Sequence, residues 1–275
     1  MSTAVWINGR PGSSIPVNDR GLAYGDGVFE TVRVASGRPV MAELHWRRLS
    51  DSARRLGIEL CVEQVENEVG LFLTELPDSE GVLKLIVTRG SGGRGYNPSG
   101  SGPARRILSF HPLPEYPSNP AFEGIRLYPC KTRLGNSSLA GLKHLNRLEN
   151  VMARSEWQGG ECLEGLVLDW EGRPVEGTMS NLFLVKKDGL LVTPLLDHCG
   201  VKGVCREYIL EQASGWGLKV FEQAVQLSDL ERASEVFTCN SVNGVWPVVA
   251  FRDIDWPVGP VTCDVRDRIL DELNV

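Results

Sequence analysis

The side chains best suited to chemistry lie in three short segments of this 275-residue chain. Lys143 stands in LAGLKHLNRL, and a lysine amine can attack a carbonyl group as a nucleophile. Glu176 opens EGTMSNLF, and a carboxylate beside a ring nitrogen keeps that nitrogen protonated. Arg48 lies in HWRRL, and a guanidinium binds phosphate through charge-assisted hydrogen bonds. Each also has an ordinary interpretation, as a solvated lysine, a turn carboxylate and part of a charged helix face.

Two segments could present backbone N–H groups to a phosphate, and only the second begins a predicted helix. Residues 90–95, GSGGRG, match the dinucleotide-binding pattern, but the following YNPSGSGP continues as a loop and opens no helix. A pyrophosphate loop needs a helix N-terminus there, so we interpret this segment as a flexible glycine-rich loop. Val204 and Cys205 instead begin a predicted helix, where backbone N–H groups favour a doubly charged phosphate and Cys205 is not expected to be a nucleophile.

Composition and missing motifs exclude several other functions. The net charge of -6 and pI near 5.4 argue against a nucleic-acid-binding protein. The seven cysteines are odd in number and contain no CxxC, which favours reduced thiols in a cytoplasm. There is no HExxH, Walker loop or GxSxG, so neither a metal site nor a hydrolase is predicted. The sequence shows no signal peptide and no apolar run long enough for a membrane span.

Several motifs, taken together, are similar to those of one enzyme family, the fold-type-IV (branched-chain-aminotransferase-like) pyridoxal-phosphate enzymes. They occupy residues 24–33, 45–49, 139–148, 175–183, 203–206 and 238–241. Their order and spacing match the family over nearly the whole chain. The resemblance implies an α+β (mixed α/β) fold with a smaller N-terminal α/β domain and a larger C-terminal β-barrel-like domain with helices. It also implies a homodimer with sites near the subunit interface.

The resemblance assigns roles to individual residues. Lys143 is the catalytic lysine that forms the Schiff base with pyridoxal 5'-phosphate, Glu176 pairs with the pyridine nitrogen, and Arg48 anchors the phosphate. The same motifs imply further cofactor contacts from Ser180, Val204, Cys205 and Ser241. Substrate contacts are expected from Tyr24, Arg94, Asn146, Arg147 and Asn240.

Two segments indicate the reaction. Residues 84–96 and 140–149 closely resemble the aminodeoxychorismate lyases. Branched-chain aminotransferases usually carry a tyrosine in place of Arg147, and Arg147 together with Arg94 offers charge suited to a substrate with two carboxylates. We therefore expect elimination of pyruvate from 4-amino-4-deoxychorismate, giving 4-aminobenzoate.

Two other functions stay open. A D-amino-acid or branched-chain aminotransferase would use the same cofactor residues, and residues 29–31, FET, fit transaminases and lyases alike. A non-catalytic ligand-binding relative would keep the fold alone, and the presence of both Lys143 and Glu176 makes this the weaker alternative.

The elements that must position these residues alternate between strand and helix. Apolar spacing predicts strands at 4–8, 28–34, 82–89, 106–111, 165–170 and 181–186, and helices at 43–56, 62–76, 145–157, 204–213 and 261–273. A capping box of Ser228 and Glu231 predicts one short helix more. Residues 112–120 contain four prolines and cannot lie inside an element. We therefore predict an N-terminal domain at 1–113, a linker at 114–121 and a cofactor-binding domain at 122–275.

Overall fold

A computed structural model describes residues 4–274 of the chain. The chain divides into two compact units. Of the described residues, the first unit contains 4–114 and Leu142–Asn146, and the second contains Glu115–Gly141 and Arg147–Asn274. The sequence had assigned residues 142–146 to the C-terminal domain. They belong to the first unit because their backbone pairs with one of its strands, as shown below.

The first unit is a six-stranded sheet with two long helices. In chain order its elements are β1 (Val5–Ile7), β2 (Arg10–Pro11), α1 (Arg20–Tyr24), β3 (Gly27–Ala35), β4 (Arg38–Pro39), α2 (Ala42–Leu56), α3 (Val62–Thr74), β5 (Gly81–Thr88) and β6 (Arg105–His111). The strand order is β2-β1-β6-β5-β3-β4, and every pairing is antiparallel. The predicted strands and both predicted helices of this unit are confirmed to within one or two residues at most ends.

The core of this unit lies between the sheet and the apolar faces of α2 and α3. Leu49 and Ala53 recur at helical spacing on α2 and are buried, as are Val65 and Phe72 on α3. Gly57 ends α2 in the left-handed conformation, with φ of 64°, which glycine adopts without steric penalty.

Strand β3 sends alternate side chains into that core. Val28, Val32 and Val34 occupy the core-facing row and are almost fully buried. Glu30 stands in the same row and is only 1% exposed. A buried carboxylate is unfavourable unless it is paired and hydrogen-bonded, so this residue requires partners within the core.

The second unit contains a nine-stranded sheet and helices of different lengths. Its elements are α4 (Pro120–Glu123), β7 (Ile125–Leu134), α5 (Leu148–Arg154), β8 (Glu164–Asp169), β9 (Pro174–Gly177), β10 (Asn181–Val185), β11 (Leu191–Pro194), α6 (Val204–Gln212), β12 (Val220–Gln223), α7 (Leu227–Arg232), β13 (Glu235–Asn240), β14 (Gly244–Phe251), β15 (Ile254–Asp255) and α8 (Pro260–Leu273). The strands β10, β13, β14, β7, β8 and β9 pair in that order, and β9 pairs again with β10. This closure makes the sheet barrel-like, and the predicted mixed α/β fold class is confirmed.

Three sequence predictions in this unit were wrong in detail. Pro120 was expected to lie outside any element, but it is the first residue of α4, a position that tolerates proline. The helix expected at 145–157 is shorter, Leu148–Arg154, because residues 143–145 are held in an extended conformation beside β3. The short helix begins at Leu227, so Ser228 lies inside its first turn. Its cap is formed instead by Asp229, whose carboxylate accepts the Gln226 backbone N–H at 2.9 Å.

Candidate active site

Lys143 is held against β3 by backbone hydrogen bonds at its own carbonyl and at Leu145. The Phe29 N–H donates to the Lys143 carbonyl at 3.0 Å, and the Leu145 N–H donates to the Gly27 carbonyl at 3.0 Å. The Lys143 Nζ lies 4.4 Å from the centroid of the Phe29 ring. The position of this amine is therefore set by the first residues of β3.

The Arg48 side chain projects from α2 toward Glu30, the residue that follows Phe29 on β3. Its Nε donates to the Glu30 Oε1 at 2.8 Å, and its Nη2 donates to the Oε2. His45, one turn earlier on α2, bonds the same Oε2 through Nδ1 at 2.6 Å. Burial would raise the pKa of Glu30, but the Arg48 charge and the His45 hydrogen bond outweigh it and hold this pKa at about 2. Burial lowers the pKa of His45, so its imidazole is neutral.

Glu176 lies in the second unit and is almost fully buried on β9. Its Oε2 accepts the Val201 N–H at 2.9 Å and the Asn181 Nδ2 at 3.3 Å. Burial lowers the pKa of Arg147, while the carboxylates of Glu176 and Glu149 act to raise it. Arg147 is therefore within electrostatic reach of Glu176, in a partly desolvated position.

The turn that joins Glu176 to Asn181 is organised by a residue that the sequence analysis missed. The Glu164 carboxylate is fully buried and accepts hydrogen bonds from the backbone N–H groups of residues 165, 178 and 179 and from the hydroxyls of Thr178 and Ser180. Ser180, a predicted cofactor contact, donates its hydroxyl to Glu164 at 2.7 Å. The turn is tight, since a Cβ on Gly177 would lie 2.4 Å from the Ser180 Oγ.

The first turn of α6 presents Val204 and Cys205. The helix N-cap is Gly203, which makes no side-chain cap hydrogen bond, and a Cβ there would lie 2.0 Å from the Asn181 Oδ1. The N-terminus of α6 is thus packed directly against the residue that contacts Glu176. A hydrogen bond with Cys239, together with burial, raises the pKa of Cys205 well above its usual value, so this thiol is neutral.

Ser241 and Asn240 lie at the end of β13 and in the turn that follows it. The Asn240 Oδ1 accepts the N–H groups of Val242 at 3.0 Å and Asn243 at 2.8 Å, which fixes the turn, and Ser241 is half-buried within it.

The remaining predicted substrate contacts belong to the first unit. The Tyr24 hydroxyl accepts the Gly95 N–H at 3.0 Å, and the Asn146 Nδ2 donates to the Gly25 carbonyl at 3.1 Å. Arg94 is exposed on the glycine-rich loop. Arg20, which the sequence analysis did not select, holds this loop through hydrogen bonds to the carbonyls of Gly95 and Tyr96 at 3.0 and 3.1 Å.

Each unit thus assembles its own set of predicted residues. The first holds Lys143 and Arg48 on consecutive residues of β3. The second brings Glu176 and Arg147 within electrostatic reach and packs the N-terminus of α6 against Asn181. The signal that could have revealed Glu30 is a lone charge in an otherwise apolar strand row, whereas no comparable local pattern surrounds Glu164.

The donor set fits pyridoxal phosphate. A half-buried lysine can take the aldehyde, a buried carboxylate suits a protonated ring nitrogen, and a helix N-terminus without a side-chain cap suits the phosphate. Within residues 4–274, no group of three or more His, Cys, Asp or Glu side chains is arranged to hold a metal ion. No helix in the same range is both long and apolar enough to cross a bilayer.

Comparisons with known proteins show the family of the chain. The chain belongs to the class IV aminotransferase family, whose model matches residues 27–251. The family expectation is therefore confirmed, and with it the expectation of a pyridoxal-phosphate enzyme.

Three relatives show how similar this chain is to individual enzymes of the family. The chain is 37% identical to an aminodeoxychorismate lyase of Vibrio harveyi, over 94% of this chain and 96% of that protein. A crystal structure of 4-amino-4-deoxychorismate lyase from Pseudomonas aeruginosa is 48% identical, with a TM-score of 0.95 over 98% of this chain and 100% of that chain. A D-alanine aminotransferase of Bacillus licheniformis is 29% identical over 94% of this chain and 92% of that protein.

Proposed function

We propose that this chain is a pyridoxal-phosphate-dependent lyase that converts 4-amino-4-deoxychorismate into 4-aminobenzoate and pyruvate. The observation that carries the proposal is the 48% identity to a lyase along essentially the full chain, against 30% or less to the aminotransferases. The site chemistry supports it, since Lys143, Arg48 and Glu176 supply a nucleophilic amine, a phosphate anchor and a ring-nitrogen partner.

When bound, pyridoxal phosphate supplies an electron sink for the bond that breaks at the substrate amine-bearing carbon. Lys143 would hold the cofactor through its Nζ. Phosphate binding is assigned to the Arg48 guanidinium and to the N–H groups of Val204 and Cys205. Ser180 and Ser241 complete the set of cofactor contacts. Glu176 would keep the ring nitrogen protonated through its carboxylate, which the Val201 N–H and the Asn181 amide hold in place.

Proton transfer in the reaction is assigned to Lys143. With substrate bound, the Lys143 Nζ would remove the proton from the substrate C4 as a general base. The C–O bond at the neighbouring carbon then breaks, the ring becomes aromatic, and enolpyruvate leaves. The same Nζ returns the proton to the leaving group, which becomes pyruvate, so no acceptor is consumed.

Substrate recognition is assigned to arginines, because the substrate carries two carboxylates. Arg147 is partly desolvated beside Glu176, where charge-assisted hydrogen bonds are strong. Arg94 supplies the second positive charge from the glycine-rich loop. Tyr24, Asn146 and Asn240 are the polar side chains that we assign to the remaining substrate contacts.

We further propose a cytoplasmic homodimer. Several large apolar side chains of the second unit are exposed, which supports burial against a second copy. They are Leu148, Val151, Met152, Trp170 and Met179. All seven cysteines are free thiols, which supports a reducing compartment. Sedimentation should give twice the chain mass of 30.3 kDa, and a mass of one chain would refute the dimer.

The experiment that separates lyase from aminotransferase follows the absorbance of the bound cofactor. Addition of D-alanine or L-leucine without an oxo acid should leave the spectrum essentially unchanged, while 4-amino-4-deoxychorismate should be consumed and the original spectrum should return. Rapid conversion of the cofactor to its amine form by either amino acid, without 4-aminobenzoate from the substrate, would instead identify an aminotransferase.

A further inference from the structure

Glu30 is a buried charge to which the proposed catalytic chemistry assigns no role. It lies in the core row of β3 between Val28 and Val32, 1% exposed, and its two oxygens bind Arg48 and His45. The adjacent residue, Phe29, carries the hydrogen bond to Lys143. Consecutive residues of one strand therefore hold the attachment lysine and the proposed phosphate anchor.

The geometry of the Glu30–Arg48 pair restricts the arginine more than a single contact would. Nε and Nη2 of Arg48 bind separate oxygens of one carboxylate, and a guanidinium is planar. This bidentate pairing fixes both the plane and the direction of the guanidinium, and the side chain is only 12% exposed.

His45 in turn fixes the carboxylate. It is fully buried, and its Nδ1 lies 2.6 Å from the Glu30 Oε2. A neutral imidazole can donate to a carboxylate only in the tautomer with the proton on Nδ1. Its Nε2 has no hydrogen-bond partner within residues 4–274, so the polar contact made by this ring is the one to Glu30.

We infer that Glu30 and His45 are positioning residues that hold the Arg48 guanidinium in the orientation that binds the cofactor phosphate. The inference rests on the proposed function only in assigning the phosphate to Arg48. It predicts that Glu30 contributes to cofactor affinity through the phosphate and not through the pyridine ring.

A purely structural role is the alternative, in which Glu30 only fastens α2 to β3. The first unit contains a matched pair of that kind. Arg106 on β6 donates through Nε and Nη2 to Glu68 on α3, at 2.8 and 2.7 Å. Glu68 is therefore a control with the same bidentate chemistry, the same helix-to-strand connection and no neighbouring site residue.

The test compares the affinity of the apo full-length protein for pyridoxal phosphate and for pyridoxal, which lacks the phosphate. Glu30→Gln should weaken binding of pyridoxal phosphate by about ten- to a hundredfold, by analogy with the loss of partners that orient metal ligands. Binding of pyridoxal should change by less than about twofold, and Glu68→Gln should leave both affinities within that limit.

Two His45 variants leave the Glu30–Arg48 contact in place. They therefore test the same inference if Glu30→Gln does not fold. His45→Leu should weaken pyridoxal phosphate selectively, and His45→Asn, whose amide can donate from the Nδ1 position, should restore much of the affinity. Melting of each apo variant by circular dichroism monitors the fold.

The outcomes separate this inference from the proposed function. If Arg48→Ala weakens pyridoxal phosphate selectively while the Glu30 and His45 variants do not, Arg48 is the anchor and the positioning role is overturned. Equal losses for pyridoxal and pyridoxal phosphate in Glu30→Gln would also overturn it, in favour of a structural role. If Arg48→Ala itself has no selective effect, the phosphate assignment in the proposed function fails, and this inference fails with it.

Discussion

Replacing Glu164 with glutamine tests how the turn between Glu176 and Asn181 is held. Glu164 Oε1 accepts the N–H groups of Gly165 and Thr178 at 2.8 Å each and the Thr178 hydroxyl at 2.6 Å. A glutamine retains these contacts best by placing its oxygen there, which turns its NH2 group toward the former Oε2 position.

The size of the destabilisation follows from the hydrogen-bond donors to the Glu164 Oε2. The Ser180 hydroxyl, now 2.7 Å from Oε2, can rotate and accept, but the Met179 N–H at 3.2 Å loses its acceptor. A buried unsatisfied N–H costs about 1–3 kcal/mol. The remaining contacts lose the extra strength of a charged acceptor. Together these losses predict a destabilisation of about 3 kcal/mol, equivalent to a fall in melting temperature of roughly 6–12 °C for a chain of this size.

The assay is thermal melting of Glu164→Gln with and without pyridoxal phosphate, together with the cofactor dissociation constant. We expect weaker cofactor binding as well as a lower melting temperature, because the loosened turn carries Glu176 at one end and Asn181 at the other. Glu156 provides the control, since it accepts the backbone N–H groups of Lys131 and Thr132 at 2.6 and 2.7 Å elsewhere in the same unit. Glu156→Gln should lower stability without changing cofactor affinity. A melting temperature and an affinity for Glu164→Gln that both equal the wild-type values would refute this reasoning.

Three more predictions concern charge at the site. Glu30 has a folded-state pKa of about 2, below its usual 4.5, so its ionised form stabilises the fold above pH 4.5. This contribution of about 3 kcal/mol is lost as the pH falls toward 2. In urea unfolding, the stability difference between wild type and Glu30→Gln should shrink over that pH range, and a constant difference would contradict the pKa. Glu176→Gln should retain cofactor but lower turnover at least about a hundredfold, since an amide cannot keep the ring nitrogen protonated, and unchanged turnover would remove Glu176 from the site. Arg147→Ala and Arg94→Ala should raise KM for the substrate more than they weaken cofactor binding, and the reverse order would assign these arginines to the cofactor or to the fold.

Local sequence patterns were sufficient to predict the helices and strands that bury only one face. The helix at Ala42–Leu56 and the strand at Gly27–Ala35 each show one apolar face and one polar face, so their periods of 3.6 and 2 are readable. Strands such as Glu164–Asp169 and Glu235–Asn240 are buried along nearly their whole length. Burial on both faces removes the alternation. The first of these strands was still predicted, at 165–170, whereas the second was not.

The sequence could suggest candidate site residues where the chemistry lies in a contiguous motif, and it could not suggest contacts between distant segments. Lys143 and Glu176 were selected from their motifs. The pairing of Lys143 with β3 joins residues more than a hundred positions apart, and Glu164 acts on a turn that begins thirteen residues later. Neither contact leaves a local pattern, because both depend on how the backbone closes on itself.

The central claim is tested most directly by the products formed from 4-amino-4-deoxychorismate, which can be made from chorismate and an ammonia source by the upstream synthase. With no oxo acid present, the protein should release 4-aminobenzoate and pyruvate in equal amounts over many turnovers per active site, and Lys143→Ala should abolish both. If the reaction stops at one equivalent of cofactor, or if D-alanine or branched-chain amino acids are transaminated while no 4-aminobenzoate forms, the protein is not this lyase.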